Sequence, residues 1–180
     1  MALSATIHNF TIGLSDVDRG VYQTLALKLA RHPSESAEHL VTRLLAYCLE
    51  YAEGLAFSRG LSAAEEPALA VRDLTGALQV WIDVGSPTAA RLHKAAKAAP
   101  RVVVYTHRDP ALLRRQLAGE KIHRSEALEL YAIDRDVIEG LVTRLERRMT
   151  FELSVTDRHL FISVGEATLS GDVETIRLEA

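Results

Sequence analysis

Apolar and polar positions alternate with a period of two at the start of the chain. Phe10, Ile12 and Leu14 are spaced by polar or small residues, and after the turn-forming stretch at residues 15–20 the alternation resumes at Val21, Leu25, Leu27 and Leu29. This pattern predicts two strands of a hairpin, with Ala5 and Ile7 leading into the first. Past Leu40 the period lengthens: Leu40, Leu44, Leu45, Cys48 and Leu49 recur at helical spacing, Ser34 after Pro33 offers an N-cap, and Gly54 stops the run. A helix over residues 35–53 is expected. The short apolar segment Leu55–Phe57 and a polar, turn-like stretch at 62–67 follow. Strands are then expected at 68–72 and 77–84, joined through Thr75 and Gly76 as a hairpin.

Gly85, Ser86 and Pro87 punctuate the chain, with Ser86 as N-cap and Pro87 at the first helical position of an alanine-rich helix over 87–99 that Pro100 closes. The continuous apolar run at 102–105 reads as a strand buried on both faces. Asp109 and Pro110 open a helix to Leu117, residues 128–133 a strand and residues 135–148 a helix. Residues 150–155 and 160–164 form a second hairpin. The order predicts an α/β protein of the mixed α+β kind. The helix between the Trp81 and Val103 strands carries a parallel connection.

Composition narrows the class. At 180 residues and 19.8 kDa, with 48% hydrophobic content and neither repeat nor linker, the chain is expected to form one domain over 1–180. Folding at this length buries roughly 70% of the unfolded surface, which excludes a disordered or disulfide-dependent architecture. Cys48 is the single cysteine, so no internal disulfide forms and a reducing compartment is expected. No apolar run approaches the roughly 20 residues of a membrane span, and the first ten residues lack a signal-peptide pattern. The expectation is a cytoplasmic protein with no membrane partner.

The net charge of −3 is unevenly placed. Residues 1–85 carry six basic and ten acidic side chains, residues 86–125 nine and two, and residues 126–180 six and twelve. The basic middle, with Arg91, Lys97, Arg101, Arg114 and Arg115, is a candidate phosphate-tracking surface for DNA or RNA.

Within the apolar strand around Trp81, Asp83 is anomalous, because an ionised carboxylate there needs a cation. Arg43, Arg72 or Arg91 could pair with it, or a metal could bind. With a tight even-numbered loop at Thr75–Gly76, cross-strand partners sum to 151. Asp83 then lies opposite Ala68, with Glu66 diagonal on the same face and Asp73 on the other. An odd-numbered loop or a bulge reverses that parity. Convergent carboxylates suit Mg²⁺, which bridges phosphates and activates water. Arg91 and Lys94, three apart, share a face of the next helix, where Lys94 could stabilise a phosphate transition state or neutralise Asp83. Glu38 and Arg43 lie near one side of the first helix. The histidines show no zinc spacing, His107-Arg108-Asp109 lacks the context of a kinase loop, and Cys48 on an apolar helix face reads as packing.

The segments MALSATIHNF, LARHPSES, FSRGL, AEEP, WIDVGSP, RLHKAAKAA and MTFELSV occur in order over nearly the whole chain, and in them it resembles the YaeQ family of small bacterial proteins. That family looks like a divergent branch of the PD-(D/E)XK nuclease superfamily. The resemblance implies a restriction-endonuclease-like core of helix, three strands, helix and strand around Mg²⁺, with N- and C-terminal hairpins added. It implies hydrolysis of phosphodiester bonds, or a catalytically inactive module of that fold that binds nucleic acid or a protein partner. Asp83 matches the second acid of the motif, the preceding acid falls on Glu66 or Asp73, and Glu38 suits the additional helix carboxylate. Gly85 occupies the usual lysine position and Pro67 follows its acid instead of preceding it, so the lysine role passes to Lys94, with Arg91 as alternative.

Overall fold

The opening alternation folds as β1 (Thr6–Asp16) and β2 (Val21–Arg31), antiparallel and in unbroken register from Thr6 opposite Arg31 to Asp16 opposite Val21. Phe10, Ile12, Leu14, Leu25 and Leu29 are buried on one face of this pair. The structure, a computed structural model of the chain, describes residues 4–58 and 65–178. The remaining elements are α1 (Ala37–Leu49), β3 (Leu55–Phe57), β4 (Leu69–Arg72), β5 (Leu78–Val84), α2 (Ala89–Ala98), β6 (Arg101–Thr106), α3 (Pro110–Leu117), β7 (Glu129–Ile133), α4 (Arg135–Thr143), β8 (Arg148–Thr156), β9 (His159–Val164) and β10 (Ala167–Ile176).

Among the described residues the strands form one ten-stranded mixed sheet in the order β2-β1-β8-β9-β10-β7-β6-β5-β4-β3. Strands β5, β6 and β7 run parallel, as do β1 and β8, and every other pair is antiparallel. Val103 and Tyr105 of β6 pack into the core shared with α1 and α4, while Val102 and Val104 pack into a second core with α2 and α3. Two helical layers thus sandwich the central strands, which is why β6 is apolar at successive positions and not at alternate ones.

Several element boundaries differ from those the sequence predicts. Helix α1 begins at Ala37, not at residue 35. Its N-cap is Ser36, whose hydroxyl accepts from His39 N at 3.1 Å, because Glu35 is drawn under the helix into side-chain bonds of its own. Helix α2 is capped by Thr88, whose hydroxyl accepts from Arg91 N, and so starts two residues after Pro87. Helix α4 ends at Thr143, well short of residue 148, because Arg148 already belongs to β8 and Asn9 N donates to the Arg147 carbonyl. The predicted C-terminal hairpin is a three-stranded meander. Its third strand, β10, alternates Ala167, Leu169, Gly171 and Val173 with polar residues, a period-two pattern that the sequence reading did not take up, and it pairs with β9 on one side and β7 on the other. The parallel pairing of β1 with β8 joins the two terminal hairpins into the same sheet as the central strands.

The β4–β5 hairpin keeps the predicted register, with Leu69 opposite Ile82, Ala70 opposite Trp81 and Val71 opposite Val80. A bulge shifts it by one residue at Arg72. Gly54 enters β3 beside this bulge at φ +89°, and a Cβ there would stand 2.2 Å from the Arg72 main-chain oxygen. Gly54→Ala therefore combines left-handed strain with overlap against a backbone that cannot step aside. We expect a loss of about 2–3 kcal/mol, read as a lower urea midpoint with unchanged slope.

Candidate functional site

The carboxyl end of β5 carries the site. Side chains two apart share a face, so Trp81 and Asp83 both point toward the α2 layer. Because Thr88 starts α2 just beyond Gly85, the first turn of the helix lies over this strand end and lays Arg91 on Asp83. Arg91 Nε donates to Asp83 Oδ2 at 2.7 Å and Nη2 to Oδ1 at 3.0 Å, a bidentate pair. Nη2 also donates to the Glu66 main-chain carbonyl at 2.7 Å, and the guanidinium carbon lies 5.4 Å from the Trp81 ring centroid. Asp83 is only 2% exposed. Of the three arginines that could pair with it, the fold uses Arg91. Arg43 is committed to Glu35, and Arg72 donates to the Gly76 carbonyl.

The other sequence candidates separate. Glu66 lies at the site through its carbonyl, and its half-buried side chain borders a hollow of about 270 Å³ with Phe57 and Arg72. Asp73 belongs to the hairpin turn. Its carboxylate accepts from Thr75 N, Thr75 Oγ1, Ala77 N and Gln79 Nε2, and these bonds, the Thr75 hydroxyl first, hold its pKa below the usual value. That turn is at the opposite end of β5 from Asp83, more than roughly 15 Å away along the strand. Lys94 is exposed and pairs with Glu65, which the sequence reading passed over. Glu38, in the first turn of α1, lies in the other helical layer. It borders an open cleft of about 950 Å³ at the carboxyl ends of β6 and β7, with His107, Arg108 and Asp134. His107 there is held below its usual pKa by burial first, then by Arg108 and His39.

The structure thus brings Asp83, Glu66 and Arg91 together, sets Lys94 at their rim, and leaves Asp73 and Glu38 apart from them. Mg²⁺ needs several oxygens at about 2.0–2.1 Å in near-octahedral array. Both Asp83 oxygens accept from Arg91 instead, and no group of three His, Cys, Asp or Glu side chains among the described residues is arranged to hold a metal. The donor set as folded does not fit the ion.

The basic segment also divides. Arg101 opens β6 at the far end of the strand, where Nε and Nη2 bond Glu129 at 2.6 and 2.8 Å and Nη2 bonds Glu50 at 2.9 Å. Its charge is spent on two carboxylates. Arg124 donates to the Ala96 and Ala99 carbonyls and closes the C-terminus of α2. Lys97 on α2, Arg114 and Arg115 in the last turn of α3, and Lys121 beyond it have no acidic partner among the described residues.

One cluster lay outside the sequence candidates. Glu35, 4% exposed, accepts from His39 Nδ1 at 2.5 Å and from Arg43 Nε and Nη2, each at 2.9 Å. Burial pushes its pKa up, but the bonds and charges of His39 and Arg43 more than offset this and hold it below the usual carboxylate value. The signal was present as the spacing 35, 39, 43: His39 and Arg43 lie on one side of α1, and Glu35, just before its N-cap Ser36, turns under the helix to meet them. Cys48 is fully buried and its thiol is pushed up to about 12 by burial, consistent with packing and not nucleophilic chemistry.

Fold and site together define an α+β protein with a large mixed sheet, four α-helices among the described residues, and an acid at the carboxyl end of an interior strand closed by an arginine. The chain belongs to the YaeQ family, whose sequence pattern, described as YaeQ protein, matches residues 1–173. The uncharacterized protein YaeQ of Escherichia coli (strain K12) is 34% identical over 165 residues, covering 91% of each chain, and that of Salmonella typhi is 33% identical over 164 residues, again 91% of each. Among solved structures, the YaeQ protein from Pseudomonas syringae superposes with a TM-score of 0.86 at 30% identity, covering 97% of both chains. That from Xanthomonas axonopodis pv. citri superposes with a TM-score of 0.87 at 31% identity, covering 98% of this chain and 100% of the other. No helix among the described residues is long and apolar enough to cross a membrane.

Proposed function

We propose that this chain is a nucleic-acid-binding protein built on a restriction-endonuclease-like core, and that it binds through its α2–α3 layer without metal-assisted hydrolysis. The core reading is supported by the order α1, the antiparallel strands β3, β4 and β5, then α2 and a β6 parallel to β5, with α1 and α2 on opposite faces of the sheet. The observation that carries the binding reading is that Lys97, Arg114, Arg115 and Lys121 keep their charge while the acid on the same face, Asp83, is neutralised by Arg91. Cations held without acidic partners on one layer are what a polyphosphate backbone recognises. Hydrolysis by Asp83, Glu66 and Lys94 is not part of this reading, because its central acid is committed.

Titration of duplex DNA and of single-stranded RNA at several salt concentrations tests it. With about four phosphate contacts the logarithm of the binding constant should fall with the logarithm of salt at a slope near −3.6 for duplex DNA, roughly a 100-fold loss between 50 and 200 mM. Replacing Lys97, Arg114 and Arg115 by alanine should flatten that slope by about 2–3 units. Absence of binding to either polymer at low salt would sink the proposal.

A further inference from the structure

The misfit between the Asp83 site and a divalent ion has a specific cause. A single atom, Arg91 Nη2, lies 3.0 Å from Asp83 Oδ1 and 2.7 Å from the Glu66 carbonyl oxygen. Two hard oxygens therefore converge on one point, as they do around a small cation, and a guanidinium nitrogen fills that point. Nε secures the second carboxylate oxygen, and the Trp81 ring lies against the guanidinium. We propose that Arg91 is the resident cation of this site: its guanidinium stands where a divalent ion would stand, closes the Asp83 and Glu66 oxygens to metal, and makes the site metal-independent. Removing the guanidinium would leave a buried carboxylate and a main-chain carbonyl facing one open position. Oxygen donors of this kind, completed by water, suit Mn²⁺ or Mg²⁺.

The inference rests on the nuclease-like reading of the core only for the place of the ion; the geometry is that of this chain. Mn²⁺ alone is the probe, followed by calorimetry and by the thermal midpoint. The wild-type protein should show no saturable site that Asp83→Asn removes. Arg91→Ala should bind one Mn²⁺ roughly tenfold or more tighter than the wild type, and Mn²⁺ should raise its thermal midpoint more than that of the wild type. The double variant Asp83→Asn/Arg91→Ala should lose both effects. A wild-type Mn²⁺ site abolished by Asp83→Asn overturns the proposal. So does a folded Arg91→Ala that gains no Mn²⁺ affinity. If Arg91→Ala does not fold, Arg91→Met retains the stem of the side chain and is read in the same way, and the wild-type titration decides independently. Nucleic-acid affinity measured in parallel with EDTA and with Mg²⁺ separates the two readings. Equal affinity in both supports the resident cation, a gain with Mg²⁺ that Asp83→Asn removes overturns it, and loss of binding in both defeats the proposed function while the Mn²⁺ titrations still judge Arg91.

Discussion

Arg91→Ala should destabilise the chain by about 3–5 kcal/mol, and Asp83→Asn by considerably less, when both are measured by urea unfolding without divalent metal. The asymmetry follows from where the two charges sit. The Asp83 side chain is 3% exposed and the Arg91 side chain 29%. Deleting Arg91 leaves an ionised carboxylate in the interior with neither of its donors, and also strips the Glu66 carbonyl of its hydrogen bond. Deleting the Asp83 charge leaves a guanidinium that already reaches water, still bonds Glu66, and can donate to the asparagine oxygen. If the penalty is that of an orphaned charge, it should vanish when both are removed. Asp83→Asn combined with Arg91→Ala should recover most of the loss, giving a coupling energy of about 2–3 kcal/mol in a double-mutant cycle. Additive effects of the two single changes would show that Arg91 acts through packing on Trp81 and not through Asp83.

The same pair shows where the sequence was legible. Asp83 stood out because an apolar strand cannot carry an unpaired carboxylate, and the summed register put Glu66 on its face of the hairpin and Asp73 on the other, although the bulge at Arg72 moves the Leu78 pairing from Asp73 to Arg72. Both follow from the two-residue period of a strand, which is local. Choosing among Arg43, Arg72 and Arg91 as the partner required knowing which helix lies over which face. That depends on Thr88 rather than Ser86 capping α2, a difference of two residues that rotates the first turn by about 200°. The parallel β1–β8 pairing was not legible, because pairing across some 140 residues leaves no mark in a local window, whereas β10 was legible in the alternation of Ala167, Leu169 and Val173 with polar residues and was missed. The basic block failed as a unit for a related reason. Charge counted along the chain cannot tell Arg101, committed to Glu50 and Glu129, from Lys97 or Arg115, which face solvent.

Arg43→Met is expected to cost about 3–5 kcal/mol at neutral pH, the second large effect, because Glu35 would keep its charge with only His39 to answer it. Arg43 itself is buried, with its side chain 8% exposed, and its guanidinium also holds the Ala30 carbonyl at the end of β2, so the change loosens the β2–α1 junction as well. Acid provides the check on mechanism. Glu35 has its pKa lowered in the folded state, so the unfolded chain binds the proton more readily. The stability it contributes is therefore fully present above the unfolded carboxylate value of about 4.3 and is lost as pH falls from there through the folded pKa. Glu50, raised by burial despite Arg101, runs the other way and opposes folding least in acid. Total stability mixes such terms, together with those of Asp18 and Glu129, so the informative quantity is the difference between wild type and Glu35→Gln. That difference should shrink as pH falls below about 4, where the wild-type carboxylate takes up its proton and comes to resemble the amide. A difference that stays constant into acid would mean that Glu35 holds α1 by shape alone, and its charge could then be dropped from the account of how the first helix is anchored.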